Sequence, residues 1–298
     1  MTPRVSVILP VFNSRAFLDA AVRSILDQTF SDFELIAIDD GSTDSSGDLL
    51  DDYAIQDTRL RVIHQENQGL IRTLNLGIEL ARAPLIARMD ADDVAERDRL
   101  SIQVAFMDRH PGVVLLGGGY LLIDDQSLPI RTMRPALDNA TLQEQCLAGT
   151  QPICHPLAMM RTDAVRQVGG YDPRFVAAED LDLFLRLGEV GELACVPEVL
   201  LSYRQHAGSV SEKQQALQLD NQRLAVEAAI SRRGLSRTFI PPKPWRPTNA
   251  NEQFRFTLDY GWWAMQEGFK PTARVYAKRA IKKKPWSKEA WVLWLKSR

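Results

Sequence analysis

Residues 84–93 have the sequence PLIARMDADD, in which an apolar run leads directly into three carboxylates, Asp90, Asp92 and Asp93. Ionised carboxylates this close together repel one another, and a bound cation, a proton or full hydration must offset the repulsion. Oxygen-rich clusters of this kind suit hard divalent ions such as Mg²⁺ or Mn²⁺. Acidic surface turns without an ion are common, so the cluster indicates a metal site only if its context supports one.

A second acidic turn supports that interpretation. Residues 33–44 have the sequence FELIAIDDGSTD, so here too an apolar run ends in carboxylates. In an open α/β sheet the ligand crevice lies outside the carboxyl ends of the parallel strands, and two distant strand ends can therefore share one site. Gly41 provides a permissive backbone in this turn. Suitable turn or helix N-cap residues follow it, namely Ser42, Thr43 and Asp44.

The composition is that of a globular protein with one or two domains, since 45% of the 298 residues are hydrophobic and 25% are charged. No apolar run reaches the roughly 18 residues of a membrane span. Residues 1–4 pass directly into a strand-like segment, and we expect no signal peptide. Cys146, Cys154 and Cys195 lack close paired spacing, which argues against a zinc site or a disulfide framework and favours a reducing cytosol.

The net charge of −2 is distributed unevenly along the chain. Residues 1–240 hold 23 Lys and Arg against 34 Asp and Glu, whereas residues 241–298 hold 13 against 4. The composition changes near the proline-rich residues 240–244. We therefore predict a helical connection over residues 216–240 and a basic helical C-terminal segment over residues 241–298.

Strand and helix patterns alternate through the first hundred residues. Apolar runs predict strands, and apolar residues at helical spacing predict helices between them. The predicted strands cover residues 5–9, 35–38, 60–63 and 85–89, and the predicted helices cover residues 15–28, 45–55 and 71–83. This alternation favours a Rossmann-like, mostly parallel central sheet with helices on both faces.

Beyond Asp93 the pattern is less regular. The three glycines at residues 117–119 follow a predicted strand over 113–116 and indicate a turn at a close-packed strand junction. Neither a Lys-Ser/Thr pair nor a helix pattern follows them, which argues against a phosphate-binding loop. The remaining predicted elements are a strand over residues 199–203 and helices over 98–109, 180–187, 214–233, 252–267, 272–283 and 288–296.

Several ordered segments resemble the family 2 inverting glycosyltransferases. They are VSVILPVFN at 5–13, SILDQTF at 24–30, the acidic turns at 39–44 and 90–93, GGYD at 169–172 and AEDLD at 178–182. The resemblance covers roughly residues 3–215. It implies an α/β fold of the GT-A type over residues 1–215, with a nucleotide-sugar half over 1–119 and an acceptor half over 120–215. It also implies a nucleotide-sugar donor and a divalent metal, Mn²⁺ or Mg²⁺.

The resemblance assigns residues to the donor pocket. Asp40 would accept a hydrogen bond from the nucleobase, with Pro10 and Phe12 packing nearby. The same pocket would be lined by Asn67, Gly69 and Arg72. The capping preference of aspartate leaves a helix N-cap open as the alternative role of Asp40.

The resemblance also assigns the metal ligands. Asp92 is the first choice for direct coordination, Asp90 would face the ribose or the water shell of the ion, and Asp93 is a second candidate. The metal would neutralise charge on the leaving nucleoside diphosphate. Residues 202–211 are similar to a late family segment in which a histidine, here His206, approaches the diphosphate or the metal. A lone histidine is otherwise more often a structural residue.

Asp180 resembles the catalytic base of the family. Inversion requires the acceptor hydroxyl to attack in line while it loses its proton, and a carboxylate can take that proton. Asp180 also opens a helical run, so an N-cap role is the alternative. On the acceptor or phosphate side we place His155, Glu179 and Arg204, with core packing as the alternative for His155.

These residues together imply a metal-dependent inverting glycosyltransferase that moves a sugar, most simply from a UDP-sugar, to a hydroxyl of a glycan or lipid-linked acceptor in surface or secreted polysaccharide biosynthesis. A nucleotidyltransferase is a rival, although residues 10–14 contain neither the glycine nor the lysine of a triphosphate loop. A non-catalytic nucleotide-sugar-binding protein is the other rival.

The C-terminal segment combines lysines with tryptophans, a mixture that suits an anionic membrane surface or a lipid-linked acceptor. Aromatic residues at helical spacing more often pack against neighbouring helices, and this alternative stays open. We expect a cytoplasmic enzyme, with peripheral contact at the inner membrane face as an open alternative. We expect no nucleic-acid partner, because the protein is acidic overall and its basic patch is local.

Overall fold

The computed structural model describes residues 2–206, 215–240 and 249–298. Part of the predicted histidine segment at 202–211 and most of the predicted linker at 240–244 lie outside these residues. The first half of the chain alternates strands and helices as predicted. Its elements are β1 (Val5–Val11), α1 (Arg15–Leu26), β2 (Phe33–Asp39), α2 (Ser46–Gln56), β3 (Leu60–His64), α3 (Leu70–Leu80) and β4 (Leu85–Arg88).

These four strands are all parallel to one another and form one side of the sheet. β1 lies between β2 and β4, and β3 pairs with the other side of β2. Every residue of β1 and β2 is buried, because helices cover both faces. Ile8 points to the face that α3 covers, whereas Val7 and Leu9 point to the face that α1 covers. The predicted sheet, with a helical layer on each face, is confirmed.

The second half extends the same sheet with strands of mixed direction. Its elements are β5 (Val94–Ala95), α4 (Arg99–Arg109), β6 (Val113–Ile123), β7 (Pro129–Met133), α5 (Asn139–Leu147), β8 (Met159–Arg161), α6 (Thr162–Gln167), α7 (Glu179–Leu187) and β9 (Glu192–Arg204). The strand order is β3-β2-β1-β4-β8-β6-β9-β5, with β7 paired to β6. β8 runs antiparallel to both β4 and β6, and β9 runs parallel to β6.

The turn predicted at residues 117–119 is wrong, because β6 continues straight through the three glycines. Their close packing is nevertheless confirmed. A Cβ atom on Gly117 would lie 2.8 Å from a methyl carbon of Ile153, and one on Gly119 would lie 3.0 Å from the carbonyl oxygen of Glu198. Glycine is therefore used here to let β9 and its neighbours approach a long strand, rather than to reverse the chain.

The C-terminal helices are α8 (Gln215–Arg232), α9 (Ala250–Gln266), α10 (Lys270–Lys283) and α11 (Lys288–Lys296). The last three share a small core that includes Leu258, Ala277 and Leu293. Tyr260 and Tyr276 of this unit also pack with Leu122 and Ile130 of the sheet, so the C-terminal helices rest on β6 and β7. Of the helices described, none has both the length and the apolar character that crossing a bilayer requires.

Candidate active site

A cleft of about 1180 Å³ opens beyond the carboxyl ends of β1, β2 and β4. It brings together most of the residues predicted from the sequence. They are Pro10, Phe12, Asp40, Asn67, Gly69, Asp90, Asp92, His155, Glu179, Asp180, Arg204 and His206. Two predicted residues do not line the cleft. Arg72 is exposed on α3, and Asp93 is buried within the second acidic turn, next to Asp90 and Asp92.

Asp40 is held by the loop that precedes α3. Its Oδ1 accepts hydrogen bonds from the Gln65 side chain at 2.6 Å and from the Gln68 backbone N–H at 2.8 Å. Its Oδ2 accepts one from the Gly69 N–H at 2.9 Å. The Asn67 amide donates to the Asp40 carbonyl at 2.9 Å. The alternative role of Asp40 as the N-cap of α2 is wrong, because its carboxylate binds a different loop.

The rest of the first acidic turn is equally well satisfied. Asp44 accepts hydrogen bonds from the N–H and the hydroxyl of Ser46, and from the N–H of Arg15 at 3.0 Å. Asp39 accepts one from the Ser42 N–H at 3.0 Å and contacts His64 Nδ1 at 3.1 Å. Although burial opposes the effect, these hydrogen bonds lower the pKa of Asp39. The turn therefore joins the starts of α1 and α2.

Phe12 is an exposed aromatic residue directly after β1. It is 51% exposed, although it follows a fully buried strand, and it lies in the same wall as Asp40. Pro10, within β1, is buried. An apolar ring held in solvent at the mouth of a cleft is suited to pack against a planar ligand group.

The second acidic turn has unsatisfied charge. The carboxylate oxygens of Asp90, Asp92 and Asp93 lie within 4.8 Å of one another. Burial, reinforced by the charges of the other two carboxylates, raises the pKa of Asp93 well above its usual range. Within the described part of the chain, the buried Asp93 Oδ2 has no hydrogen-bond partner. A hard divalent cation would satisfy this set of oxygens, so the residues fit Mn²⁺ or Mg²⁺.

The end of β9 holds the second acidic turn in place. The Arg204 N–H donates to Asp93 Oδ1 at 2.7 Å, and its guanidinium donates to the Asp92 carbonyl at 2.7 Å. The same guanidinium lies 4.6 Å from the centre of the Phe17 ring. His206 Nε2 lies 2.8 Å from Asp92 Oδ2. Arg204 and His206 therefore fix both the backbone and a carboxylate of the turn.

Arg88 is a residue of the cleft to which the sequence analysis gave no role. It is buried, lines the cleft and forms an ion pair with Asp90. Although burial opposes the effect, the charge of Asp90 raises the pKa of Arg88. The sequence feature that could have drawn attention to Arg88 is a cation inside an otherwise apolar strand, directly before a carboxylate cluster.

A second pair of carboxylates lies at the start of α7. The N-cap position of this helix is Ala178, so the N-cap alternative for Asp180 is wrong. Asp180 Oδ1 accepts hydrogen bonds from the Gln151 side chain at 2.7 Å and from the Leu181 N–H at 2.8 Å. Burial raises the pKa of Asp180. Burial and the charge of Asp180 raise the pKa of Glu179 to about 7.

His155 lies in the cleft as a neutral ring. Its Nε2 lies 2.7 Å from the Tyr171 hydroxyl, and its ring packs near Phe184. Burial, with a further contribution from Arg88, lowers the pKa of His155 well below its usual value. The ring can therefore exchange hydrogen bonds but carries no charge at neutral pH.

The family comparison decides the identity of the chain. The model of the family described as Glycosyl transferase family 2 matches residues 6–169, which is more than half of the chain. The chain belongs to glycosyltransferase family 2. This glycosyltransferase is also 32% identical over 231 residues to EpsE of Bacillus subtilis (strain 168), a protein named as a glycosyltransferase, and the match covers 76% of the chain and 82% of EpsE. The predicted family is thus confirmed.

Solved structures confirm the GT-A fold of this family 2 glycosyltransferase. TarS of S. aureus, residues 1–349 in complex with UDP-GlcNAc, aligns with a TM-score of 0.64 at 16% identity, covering 99% of this chain and 79% of that one. The mannosyltransferase PcManGT of Pyrobaculum calidifontis, in complex with GDP-Man and Mn²⁺, aligns with a TM-score of 0.56 at 18% identity, covering 98% and 79%.

Proposed function

We propose that this glycosyltransferase is metal-dependent and inverting, and that it transfers a sugar from a nucleotide donor, most simply a UDP-sugar, to a hydroxyl of a glycan or lipid-linked acceptor in polysaccharide biosynthesis. One observation carries the proposal. A single cleft contains an acidic turn whose three carboxylates share one buried arginine, Arg88, as counter-charge and, at the start of α7, a separate buried carboxylate pair. The first suits a metal diphosphate, and the second suits proton transfer.

The donor end of the cleft follows from the first acidic turn. Phe12 offers an apolar face for a nucleobase, and the Asp40 carboxylate is held rigidly beside it by three hydrogen bonds. Asn67 and Gly69 complete this part of the wall. A nucleobase with an N–H edge, such as uracil, could donate to Asp40 while it stacks on Phe12.

The metal would be held by Asp92 and Asp90, which line the cleft, with Asp93 and His206 as further candidates. When bound, such an ion supplies electrostatic neutralisation of the diphosphate leaving group. The chain itself orients this turn through Arg204, and the adjacent charge of Arg88 opposes the rise that burial causes in the pKa of Asp90. The polypeptide therefore sets the position of the leaving group.

Asp180 is the proposed catalytic base. Gln151 and the Leu181 N–H both donate to its Oδ1, which orients the carboxylate, and Oδ2 would take the acceptor proton. A pKa raised by burial brings the proton affinity of the carboxylate closer to neutrality, where a general base works best. The acceptor oxygen then attacks the anomeric carbon as the bond to the diphosphate breaks, and the proton remains on Asp180.

The test is a substrate screen combined with one substitution. Purified protein is incubated with UDP- and GDP-sugars and Mn²⁺ or Mg²⁺, and diphosphate release is measured. Asp180→Asn should bind UDP normally yet lower the turnover number by about 10³-fold or more. Asp182→Asn is the matched control, because Asp182 pairs with Arg186 on the other side of α7. Full turnover by Asp180→Asn would move the base elsewhere, and release of pyrophosphate would indicate a nucleotidyltransferase.

We also propose cytoplasmic peripheral contact with an anionic membrane through the end of α10 and the turn after it. Lys282, Lys283 and Lys284 precede Trp286, whose side chain is 80% exposed. Clustered lysines beside an exposed tryptophan match the charge and the interfacial polarity of such a surface. Full-length protein should co-sediment with phosphatidylserine vesicles and release as salt rises, whereas neutral vesicles should not bind it. Equal sedimentation with both would contradict the proposal.

A further inference from the structure

The C-terminal helices contribute a residue to the catalytic cleft. Trp263 of α9 lies in the cleft wall with Tyr120, Arg131 and Met133 of β6 and β7. The guanidinium of Arg131 lies 5.2 Å from the centre of the Trp263 ring. Arg131 is exposed, and none of the ion pairs found in the described residues involves it. An aromatic ring and a cation without a carboxylate partner therefore face the same opening.

A buried carboxylate, Asp124, ties the C-terminal helices to the end of β6. Asp124, at the end of β6, accepts hydrogen bonds from the Tyr276 hydroxyl at 3.0 Å and from Arg279 at 2.9 Å, both on α10. The Asp124 carbonyl accepts a further hydrogen bond from Arg204 at 3.1 Å. Arg204 in turn holds the acidic turn. The C-terminal helices are thus connected to the proposed metal site through two residues.

The sheet order places Trp263 away from the donor end. Asp40 follows β2, the acidic turn follows β4, and Arg131 lies on β7, at the opposite side of the cleft. β7 and β9 pair with opposite sides of β6, so β7 lies two strand spacings, roughly 10 Å, from β9, whose last residue Arg204 donates to the Asp92 carbonyl. One strand, β6, therefore separates Arg131 from the strand that holds the acidic turn.

We infer that Trp263 and Arg131 form an acceptor subsite that binds a sugar ring of the acceptor glycan, an inference that rests on the proposed function. One face of a pyranose ring presents C–H groups that pack against an aromatic surface, while its hydroxyls accept hydrogen bonds from a guanidinium. Tyr120 and Tyr203 add hydroxyl donors to the same wall. Burial raises the pKa of both phenols, and they remain protonated at neutral pH.

The experiment separates acceptor binding from donor chemistry. Transfer from the active nucleotide sugar is measured with a panel of p-nitrophenyl glycosides of glucose, galactose, mannose and N-acetylglucosamine. Trp263→Ala should raise the KM for the accepted glycoside about 10-fold or more, while slow hydrolysis of the donor by water keeps its rate. Trp263→Phe should restore most of the affinity. Arg131→Met should raise the same KM about 3-fold.

Trp291→Ala is the matched control, because Trp291 is a partly exposed tryptophan of α11 that does not belong to the described cleft wall. It should leave the KM for the accepted glycoside and the rate of donor hydrolysis unchanged. An unchanged acceptor KM in Trp263→Ala, or a parent enzyme that hydrolyses donor but accepts none of the glycosides, would overturn the subsite. Absence of diphosphate release from every nucleotide sugar would instead overturn the proposed function.

Discussion

The two acidic turns look alike in sequence but differ in their physical state. In the first turn the carboxylates of Asp39, Asp40 and Asp44 accept hydrogen bonds from backbone N–H groups, and burial is offset by these donors. In the second turn Asp90 and Asp93 repel each other and Asp92, and Asp93 Oδ2 is buried without a partner. Both turns end a strand of the same parallel sheet.

The difference shows which observation separates an acid that needs a cation from one that does not. Proximity of carboxylates does not separate them, because both turns contain several. The supply of hydrogen-bond donors does, since both carboxylate oxygens of Asp40 accept hydrogen bonds, whereas Asp93 Oδ2 accepts none from the described residues. Loss of a carboxylate should therefore affect metal-dependent chemistry in the second turn, whereas in the first turn it should affect stability and, at Asp40, binding of the nucleobase.

The largest effect is expected at Asp92. Asp92→Asn keeps the size of the side chain but removes a negative charge from the cluster, and kcat/KM with Mn²⁺ should fall about 10²- to 10³-fold. The melting temperature without metal should stay the same or rise, because repulsion within the turn decreases. Calorimetric titration of UDP with and without Mn²⁺ measures the binding part. Equal metal-dependent binding by variant and parent would show that Asp92 does not hold the metal.

The carboxylate pair on α7 resembles the second turn in that burial raises the pKa of both of its members. Because the pKa of Glu179 is about 7, the pair takes up a proton as the pH falls through that value, and the turnover number should decrease below it. Glu179→Gln removes the neighbouring negative charge, so the acidic limb of the pH profile should move to lower pH. The rate ratio of variant to parent at pH 6 should then be roughly tenfold higher than at pH 8. Identical acidic limbs would contradict the coupling.

In the first turn, Asp44→Ala should act on stability. It removes the acceptor that caps Ser46 at the start of α2 and contacts the Arg15 N–H, and the free energy of unfolding should fall by about 1 kcal/mol. Urea unfolding followed by circular dichroism gives this value. Turnover at saturating donor should change by less than the Asp92→Asn effect. If the loss of turnover, expressed as a free energy, exceeded the loss in the free energy of unfolding, the first turn would take part in the chemistry.

The smallest effect is expected at His64, which lies between Asp51 and Asp39. Hydrogen bonds that the ring donates to Asp51 and then to Asp39 raise the pKa of His64, so its stabilising charge is fully present below the unfolded value near 6.5 and is lost as the pH rises through the folded value. The ring is half exposed, and we expect His64→Gln to cost roughly 0.5 kcal/mol at pH 6 and less at pH 9. Urea unfolding at both pH values checks this. A larger cost at pH 9 would reverse the assigned sign.

The sequence was sufficient to predict the parallel half of the fold. Strands β1, β2 and β4 are mostly apolar and fully buried, and the order of the four strands along the chain, with right-handed crossovers, limits the possible sheets to few. The strand through Gly117–Gly119 was missed because a local pattern treats glycine as a turn former. Its real role depends on atoms of Ile153 and Glu198, which are distant in sequence.

The same limit applies to the site. Asp40, Asp92 and Asp180 could be placed near one another from motifs because they follow strands or open a helix at one edge of the sheet. The ion pair of Arg88 and the position of Trp263 in the cleft could not be predicted in this way. The ion pair of Arg88 requires the fold of the following turn, and Trp263 reaches the cleft only because α9 packs on β7, a tertiary contact that no local spacing encodes.

The carboxylate of Asp124 limits which C-terminal helices could replace those of this enzyme. It is an internal anion that receives donors from Tyr276 and Arg279 of the C-terminal helices. A chimera carrying the helices of a relative would keep this joint only if the graft brings an equivalent pair of donors. A graft without them would leave an uncompensated charge, at a cost of about 3–5 kcal/mol. Exchange of C-terminal segments, in the laboratory or during evolution, is therefore restricted to relatives that retain both sides of this joint.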